Sequence, residues 1–132
     1  MKLTRKSRER ELTQKFIETC EYKGKFETEK PIPKVLNSST EDKTIMKNAI
    51  SNIYSLRADL FITLDTGGYV LVETKNRINP SALGQLLCYQ ELLSRALGNI
   101  DAKDISLVCV FHIGDPEIEN IFTKYGIDLV RL

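Results

Sequence analysis

Residues 58–75 read ADLFITLDTGGYVLVETK, and this stretch decides the fold. Residues 58–64 and 69–74 are rich in β-branched and aromatic side chains, and the Asp65-Thr66-Gly67-Gly68 sequence between them has the composition of a hairpin turn. Two antiparallel strands are therefore expected. Side chains two apart in a strand share a face, so Leu71, Glu73 and Lys75 lie on one side of the sheet and Val70, Val72 and Thr74 on the other. With the turn centred between Thr66 and Gly67, Asp59 at the start of the first strand pairs with about position 74, to within one bulge. Two carboxylates and an ammonium group then converge where strand physics would place apolar residues.

Working outward, residues from about 7 to 22 carry Leu12, Phe16 and Cys20 at four-residue spacing with Ile17 beside them, and no Gly or Pro intervenes before Gly24. A helix is expected there. The following KFETEKPIPKVLNSST is polar, and Pro31 and Pro33 exclude a helix, which leaves an extended segment or a loop. Ser39 or Thr40 caps a second helix whose stripe of Ile45, Met46, Ala49, Ile50, Ile53 and Tyr54 is most simply core. Downstream of the hairpin, Asn79 and Pro80 open a long helix that stops at Gly98. The apolar run ISLVCVFHI at 105–113 reads as a strand covered on both faces. Gly114-Asp115-Pro116 caps a short helix ending at Gly126, and 127–131 forms a last strand. The order α, α, β, β, α, β, α, β implies an α/β fold in three layers, α-β-α, with a mixed central sheet.

The chain has 132 residues, 42% hydrophobic and 28% charged, which suits one compact domain and excludes both a second full domain and a disordered composition. No apolar run reaches the roughly 18 residues of a membrane span, and no apolar stretch follows the basic start MKLTRKSRER. Neither membrane insertion nor secretion by signal peptide is expected. Cys20, Cys88 and Cys109 are scattered and odd in number, and read as reduced core residues of an intracellular, cytoplasmic protein, with one bridge as the alternative. With His112 as the sole histidine, a zinc site has too few ligands.

Charge is balanced overall at +1 but not along the chain. The first fifty residues hold twelve Lys and Arg against eight Asp and Glu, the remainder seven against ten. The basic half, densest at Lys2, Arg5, Lys6, Arg8 and Arg10 and again at Lys23, Lys25, Lys30 and Lys34, is a candidate polyanion-facing side. A solvated helix face is the blander alternative.

Hard divalent cations such as Mg²⁺ take one or two carboxylates together with waters and substrate phosphate oxygens, and Mn²⁺ accepts the same donors. A lysine beside them stabilises phosphoryl charge or orients an attacking water. The alternative is that Glu73 and Lys75 fray the strand end into solvent and Asp59 caps a turn, which the convergence of all three makes the weaker reading.

Asp59, the hairpin and then Glu73-Thr74-Lys75 resemble the D…(D/E)-x-K signature of the PD-(D/E)XK nuclease superfamily, whose core is that of restriction endonucleases. The superfamily's proline is replaced by Ala58. The resemblance implies Asp59 and Glu73 as metal ligands, the Thr74 main-chain carbonyl as a further ligand, and Lys75 as the residue assisting the nucleophilic water. Gln85 and Tyr89, four apart on one helix face, are similar to the Q-x-x-x-Y motif of RecB-type nucleases and to the Q-L-L-x-Y helix of NucS-type nucleases, where the pair borders the active site. Otherwise they are half-exposed bystanders on a helix whose leucines are core. Arg8-Glu9-Arg10-Glu11-Leu12 resembles the opening of archaeal Holliday junction resolvases, where a helix glutamate completes the metal site. At 100° per residue Glu9, not Glu11, aligns with Leu12, Phe16 and Cys20; a first-turn acid favoured by the helix dipole is the alternative. The resemblance covers about residues 8–20 and 57–132. Residues 21–56 look like an insertion within a single nuclease-like domain.

The resemblance implies a restriction-endonuclease-like fold and a Mg²⁺- or Mn²⁺-dependent deoxyribonuclease acting on ends, flaps or branched DNA. A Holliday junction resolvase and a catalytically inactive nucleic-acid-binding or assembly module are the alternatives. DNA is the expected partner, with Arg77, Arg5, Lys6, Arg8 and Arg10 on its phosphates and a homodimer as one arrangement. Scattered cysteines argue against the superfamily's iron–sulfur branch, and His112 is assigned no role.

Overall fold

A computed structural model describes residues 4–33 and 56–132. Helix α1 spans Arg5–Thr19, and strand β1 spans Gly24–Pro31. The hairpin strands are β2, Arg57–Leu64, and β3, Tyr69–Arg77. Helix α2 is Pro80–Ala96, strand β4 Ile105–Ile113, helix α3 Pro116–Lys124 and strand β5 Ile127–Arg131. The helix expected at 40–55, with its apolar stripe, lies outside the described residues, as do Lys2 and Lys34.

The expected caps are in place. Asn79 accepts a bond from Ala82 N–H, with Pro80 in the first turn, and Asp115 accepts from the N–H groups of Glu117 and Ile118 ahead of α3. Thr4, which the sequence reading passed over, accepts from Ser7 N–H and starts α1.

Among the described residues the sheet has five strands in sequence order, β1-β2-β3-β4-β5. The first two pairings are antiparallel and the last two parallel, so the sheet is mixed. Parallel neighbours require crossovers, and both helices that supply them lie on one face. That follows from the fixed handedness of β-α-β units when strands add in one direction. On that face Phe61, Leu71, Leu107, Cys109 and Phe111 pack with Ala82, Leu86, Tyr89 and Leu93 of α2 and Phe122 of α3. On the other, Leu60, Ile62, Val70, Val72, Val108 and Val110 pack against Phe16, Leu12 and Ile17 of α1. The architecture is α-β-α, and β4 is covered on both sides as its apolar run requires.

The sequence reading is corrected in two places. Residues 24–31, expected as an extended segment or a loop, are a strand of the sheet itself and its edge among the described residues, paired with β2 from Gly24↔Leu64 to Pro31↔Arg57. Its polar composition suits an edge strand exposed along much of its length, and Pro31 is tolerated at its last position. Of the three cysteines, all free, Cys109 is core, but Cys20 is half-buried and Cys88 exposed. Cys88 lies on the solvent side of α2, one residue from buried Tyr89.

Candidate active site

The β2–β3 ladder runs from Thr63↔Tyr69 to Leu60↔Val72 and stops. Beyond that point β2 stays paired with β1 as far as Arg57, and β3 stays paired with β4 as far as Arg77. The central strands therefore part, each held by its outer neighbour. Asp59 and Glu73 sit at the first position inside this fork, opposite one another in the continued register. The pairing of Asp59 is thus with position 73 rather than 74.

Two side chains replace the missing ladder bonds. Thr74 N–H donates to Asp59 Oδ2 at 2.8 Å, and Asp59 N–H donates to Glu73 Oε1 at 3.3 Å. Buried backbone groups are thereby satisfied where the ladder lapses. Both carboxylates are fixed by main-chain donors instead of floating on side-chain rotamers.

Electrostatics in the fork are set by burial. Glu73 is only 2% exposed, and burial, followed by the charge of Asp59, pushes its carboxyl up to about 9. The buried Glu73 carboxyl thus favours its neutral form. The same field reaches its neighbours on the α2 face. Cys109, opposite Glu73 in the β3–β4 ladder, has its thiol raised to about 12 by burial and then by Glu73. Burial raises the Tyr89 hydroxyl and the charge of Glu73 adds to it, while a hydrogen bond with Gln85 works the other way. Gln85 Oε1 is buried without a partner among the described residues. Tyr89 is thus close enough to Glu73 and Asp59 to feel their charge, and Gln85 lies one helical turn before it on α2. Lys75, half-buried, follows two residues after Glu73, and its charge favours ionisation of Glu73. Arg77 is exposed at the strand's end.

On the opposite face, α1 is bound to the fork by hydroxyls. Thr13 Oγ1 stands 2.9 Å from Thr74 Oγ1 and 3.0 Å from the Glu9 carbonyl oxygen. This contact places a cleft of about 310 Å³ between α1, β1 and Asp59, lined by Lys6, Glu9, Arg10, Thr28, Glu29 and Asp59 among others. Glu9 lines the cleft that Asp59 also lines, with Arg5 3.7 Å from its carboxylate. Of the four N-terminal cations expected at the site, Lys6 and Arg10 line this cleft. Arg5 is exposed at its edge, and Arg8 points to the other side of the helix, into a second cleft. The reason is helical: Lys6 and Arg10 are one turn apart, whereas Arg8 lies about 200° around from Lys6.

Sequence reasoning missed two residues. Thr13 is buried and ties α1 to β3; its four-residue spacing from Glu9 was the available signal. Glu29, in the strand opposite Asp59, adopts a left-handed φ of 50°, uncommon for a residue with a side chain. Its carbonyl accepts from Arg57 Nη1 at 3.4 Å, and its carboxylate lies 3.8 Å from Arg10 at the cleft mouth. No local feature of β1 distinguishes Glu29 until pairing is known.

The oxygen donors at the fork are the Asp59 and Glu73 carboxylates and the main chain of Thr74, with Glu9 in the adjoining cleft. Among the described residues no three Asp, Glu, His or Cys side chains close on a single point. Chemically, the fork can hold a hard cation by two carboxylates and leave other positions to water and substrate.

No family model and no curated protein matches this sequence. Among solved structures, the chain is similar to EndoMS in a complex described as EndoMS–dsDNA2, at 19% identity and a TM-score of 0.56, covering 100% of this chain and 46% of that one. It is also similar to EndoMS in the apo form, at 18% identity and a TM-score of 0.55, covering 100% of this chain and 47% of that one. A repair endonuclease from Pyrococcus abyssi aligns over 74% of this chain and 49% of its own, at 16% identity and a TM-score of 0.48. The chain spans just under half the length of these solved chains. The two EndoMS structures show the fold: the mixed sheet between helices is of the restriction-endonuclease-like type.

Proposed function

We propose that this chain is a metal-dependent DNA nuclease that hydrolyses phosphodiester bonds and selects its substrate by structure, at ends, flaps or branches, rather than by base sequence. The observation that carries the reading is the Asp59–Glu73 pair, fixed by main-chain hydrogen bonds in the β2–β3 fork with Lys75 next along the strand. Such a fork concentrates ionisable groups where a core strand would otherwise bury apolar ones. The fold supports the reading by analogy, and the EndoMS–dsDNA2 complex supports DNA as the substrate class.

The donor set fits Mg²⁺ or Mn²⁺, because two carboxylates and the Thr74 carbonyl are hard oxygen ligands, with Glu9 as a further one. The upward displacement of Glu73 supports the fit: two negative charges in the fork are costly, and a divalent cation offsets them. When bound, the cation supplies Lewis-acid stabilisation of phosphoryl charge and makes water a stronger acid.

The chain's own residues do the rest. Asp59, held by Thr74 N–H, keeps its orientation through the reaction and needs no reorganisation. Glu73, beside Asp59 in the fork, supplies the second carboxyl group of the donor set. The Lys75 ammonium orients the attacking water and stabilises charge gathering on the phosphate. Lys6 and Arg10 hold substrate phosphate in the cleft beside Asp59. Tyr89 and Gln85 buttress Glu73 from α2. Cations spread along a helix and a sheet end position a backbone without reading bases, which is why structure rather than sequence selects the substrate.

The test is incubation of the protein with linear, supercoiled, single-stranded and four-way-junction DNA in Mg²⁺ or Mn²⁺, with EDTA and Lys75→Ala controls. Metal-dependent cutting that disappears in the variant is the expected result, and preference for the junction would favour a resolvase. Absence of cutting on every substrate, with DNA binding retained, would replace this reading by the inactive binding module.

A further inference from the structure

The second cleft, about 330 Å³ on the other side of α1, plays no part in the chemistry above. Arg8, Glu11 and Lys15 line it from α1, Asn76 from β3 and His112 from β4, over a leucine floor. Arg8 and Lys15 are seven residues apart and so share one helix face, within about 20° of each other. Among the described residues neither makes an ion pair, whereas Arg5 and Arg10 are each held by a glutamate. Among the described residues Glu11 is the one acidic side chain in the lining. His112 Nδ1 lies 2.8 Å from the Leu132 main-chain oxygen. That oxygen only accepts, so Nδ1 carries the proton and the ring is held in one orientation, with Nε2 left over.

The position matters as much as the charge. Asn76 follows Lys75 directly on β3 and points to the α1 face, so the two sites meet across one residue step at the same end of the sheet. β2, which carries Asp59, and β4, which carries His112, flank β3 on its two sides. A polyanion strand lying across this sheet end passes over both.

We infer that this cleft is a phosphodiester subsite, which takes a backbone phosphate flanking the one placed at Asp59 and Glu73. The inference rests on the nuclease reading. Arg8 and Lys15 bind the phosphate oxygens by charge, Asn76 donates its amide, and the apolar floor keeps the local field unscreened.

The full chain is tested without catalysis, in EDTA, by fluorescence anisotropy with a labelled oligonucleotide across a salt series. Arg8→Ala and Lys15→Ala should each weaken binding roughly tenfold and reduce the slope of log K against log salt by about one. Lys103→Ala, an exposed cation in the turn before β4, should change neither. Because His112 is the only histidine, its ring signals in proton NMR are an unambiguous reporter. They should shift on adding the oligonucleotide, and this shift should be lost in Arg8→Ala. Inorganic phosphate alone should shift them far less; saturation by phosphate at equal concentration would make the cleft a free-phosphate site and overturn the subsite. Oligonucleotide binding that leaves His112 unmoved and tolerates both alanines would overturn the subsite and leave the nuclease reading intact. No binding by the parent chain would remove both.

Discussion

Thr13 Oγ1 lies 2.9 Å from Thr74 Oγ1, a buried contact between residues sixty-one positions apart. It joins the helix that carries Glu9 to the strand that carries Glu73 and Lys75, beside the N–H that fixes Asp59. Leaving one buried hydroxyl without its partner costs about 1–3 kcal/mol, whereas replacing both by apolar groups of similar shape costs far less. Thr13→Val should therefore lower unfolding stability in urea by about that amount, and Thr13→Val with Thr74→Val should recover part of it. Additive losses in the double variant would show that the two hydroxyls act independently.

Cleavage should fall by about two to four orders of magnitude in Glu73→Gln and Lys75→Ala, the range for loss of a positioned acid–base or charge-stabilising group. For Asp59 the informative change is to Asn. Alanine removes the acceptor of Thr74 N–H as well as the charge, and its activity loss would be mixed with a folding defect. Initial rates measured alongside circular dichroism check all three, and near-parental rates in any of them would remove that residue from the site.

The Glu73 carboxyl has a folded-state value near 9 against 4.5 for an ordinary glutamate. Between those values the folded chain holds a proton that the unfolded chain has released. The stability this contributes is fully present below about pH 4.5 and is lost as pH rises toward 9. In EDTA the melting temperature should accordingly fall from pH 6 to pH 9, more steeply than in Glu73→Gln. Added Mg²⁺ or Mn²⁺ should raise it, most at the alkaline end where the proton no longer competes. Parallel pH curves for the two proteins would contradict the assignment.

Tyr89→Phe removes a hydroxyl that feels the charge of Glu73 with little change in volume, and Gln85→Ala removes the amide that favours its ionised form. Each should slow cleavage by about tenfold with little effect on DNA affinity in EDTA, since neither group meets the phosphates. Unchanged kinetics would reduce this pair to packing.

Gly24 pairs with Leu64 at the start of β1, and a Cβ there would run into the main-chain carbonyl of Thr63. Backbone atoms cannot swing aside as a long side chain does. Gly24→Ala should destabilise by about 1–3 kcal/mol by thermal or urea unfolding, through loosening the edge strand that also carries Glu29.

Local periodicity determined much of this protein without any tertiary information. Strand alternation and the Asp-Thr-Gly-Gly turn were enough to bring Asp59 beside Glu73, one residue off in register, because a short hairpin is a local structure. The caps at Asn79 and Asp115, the two-sided strand 105–113 and the order of elements that yields the α-β-α layers were legible for the same reason. Three features were decided only by tertiary structure. Gly24–Pro31 is polar and reads equally as an extended segment or a loop; its identity as a strand comes from pairing with β2, across some thirty residues of sequence. The fork exists because β1 and β4 hold the outer edges of β2 and β3 after their shared ladder ends, a competition among four strands that no window of sequence contains. The division of the N-terminal cations between two clefts depends on which face of α1 meets the sheet, and the Thr13–Thr74 contact helps to fix it. A helical repeat tells which residues travel together, but packing against a distant partner tells where they arrive.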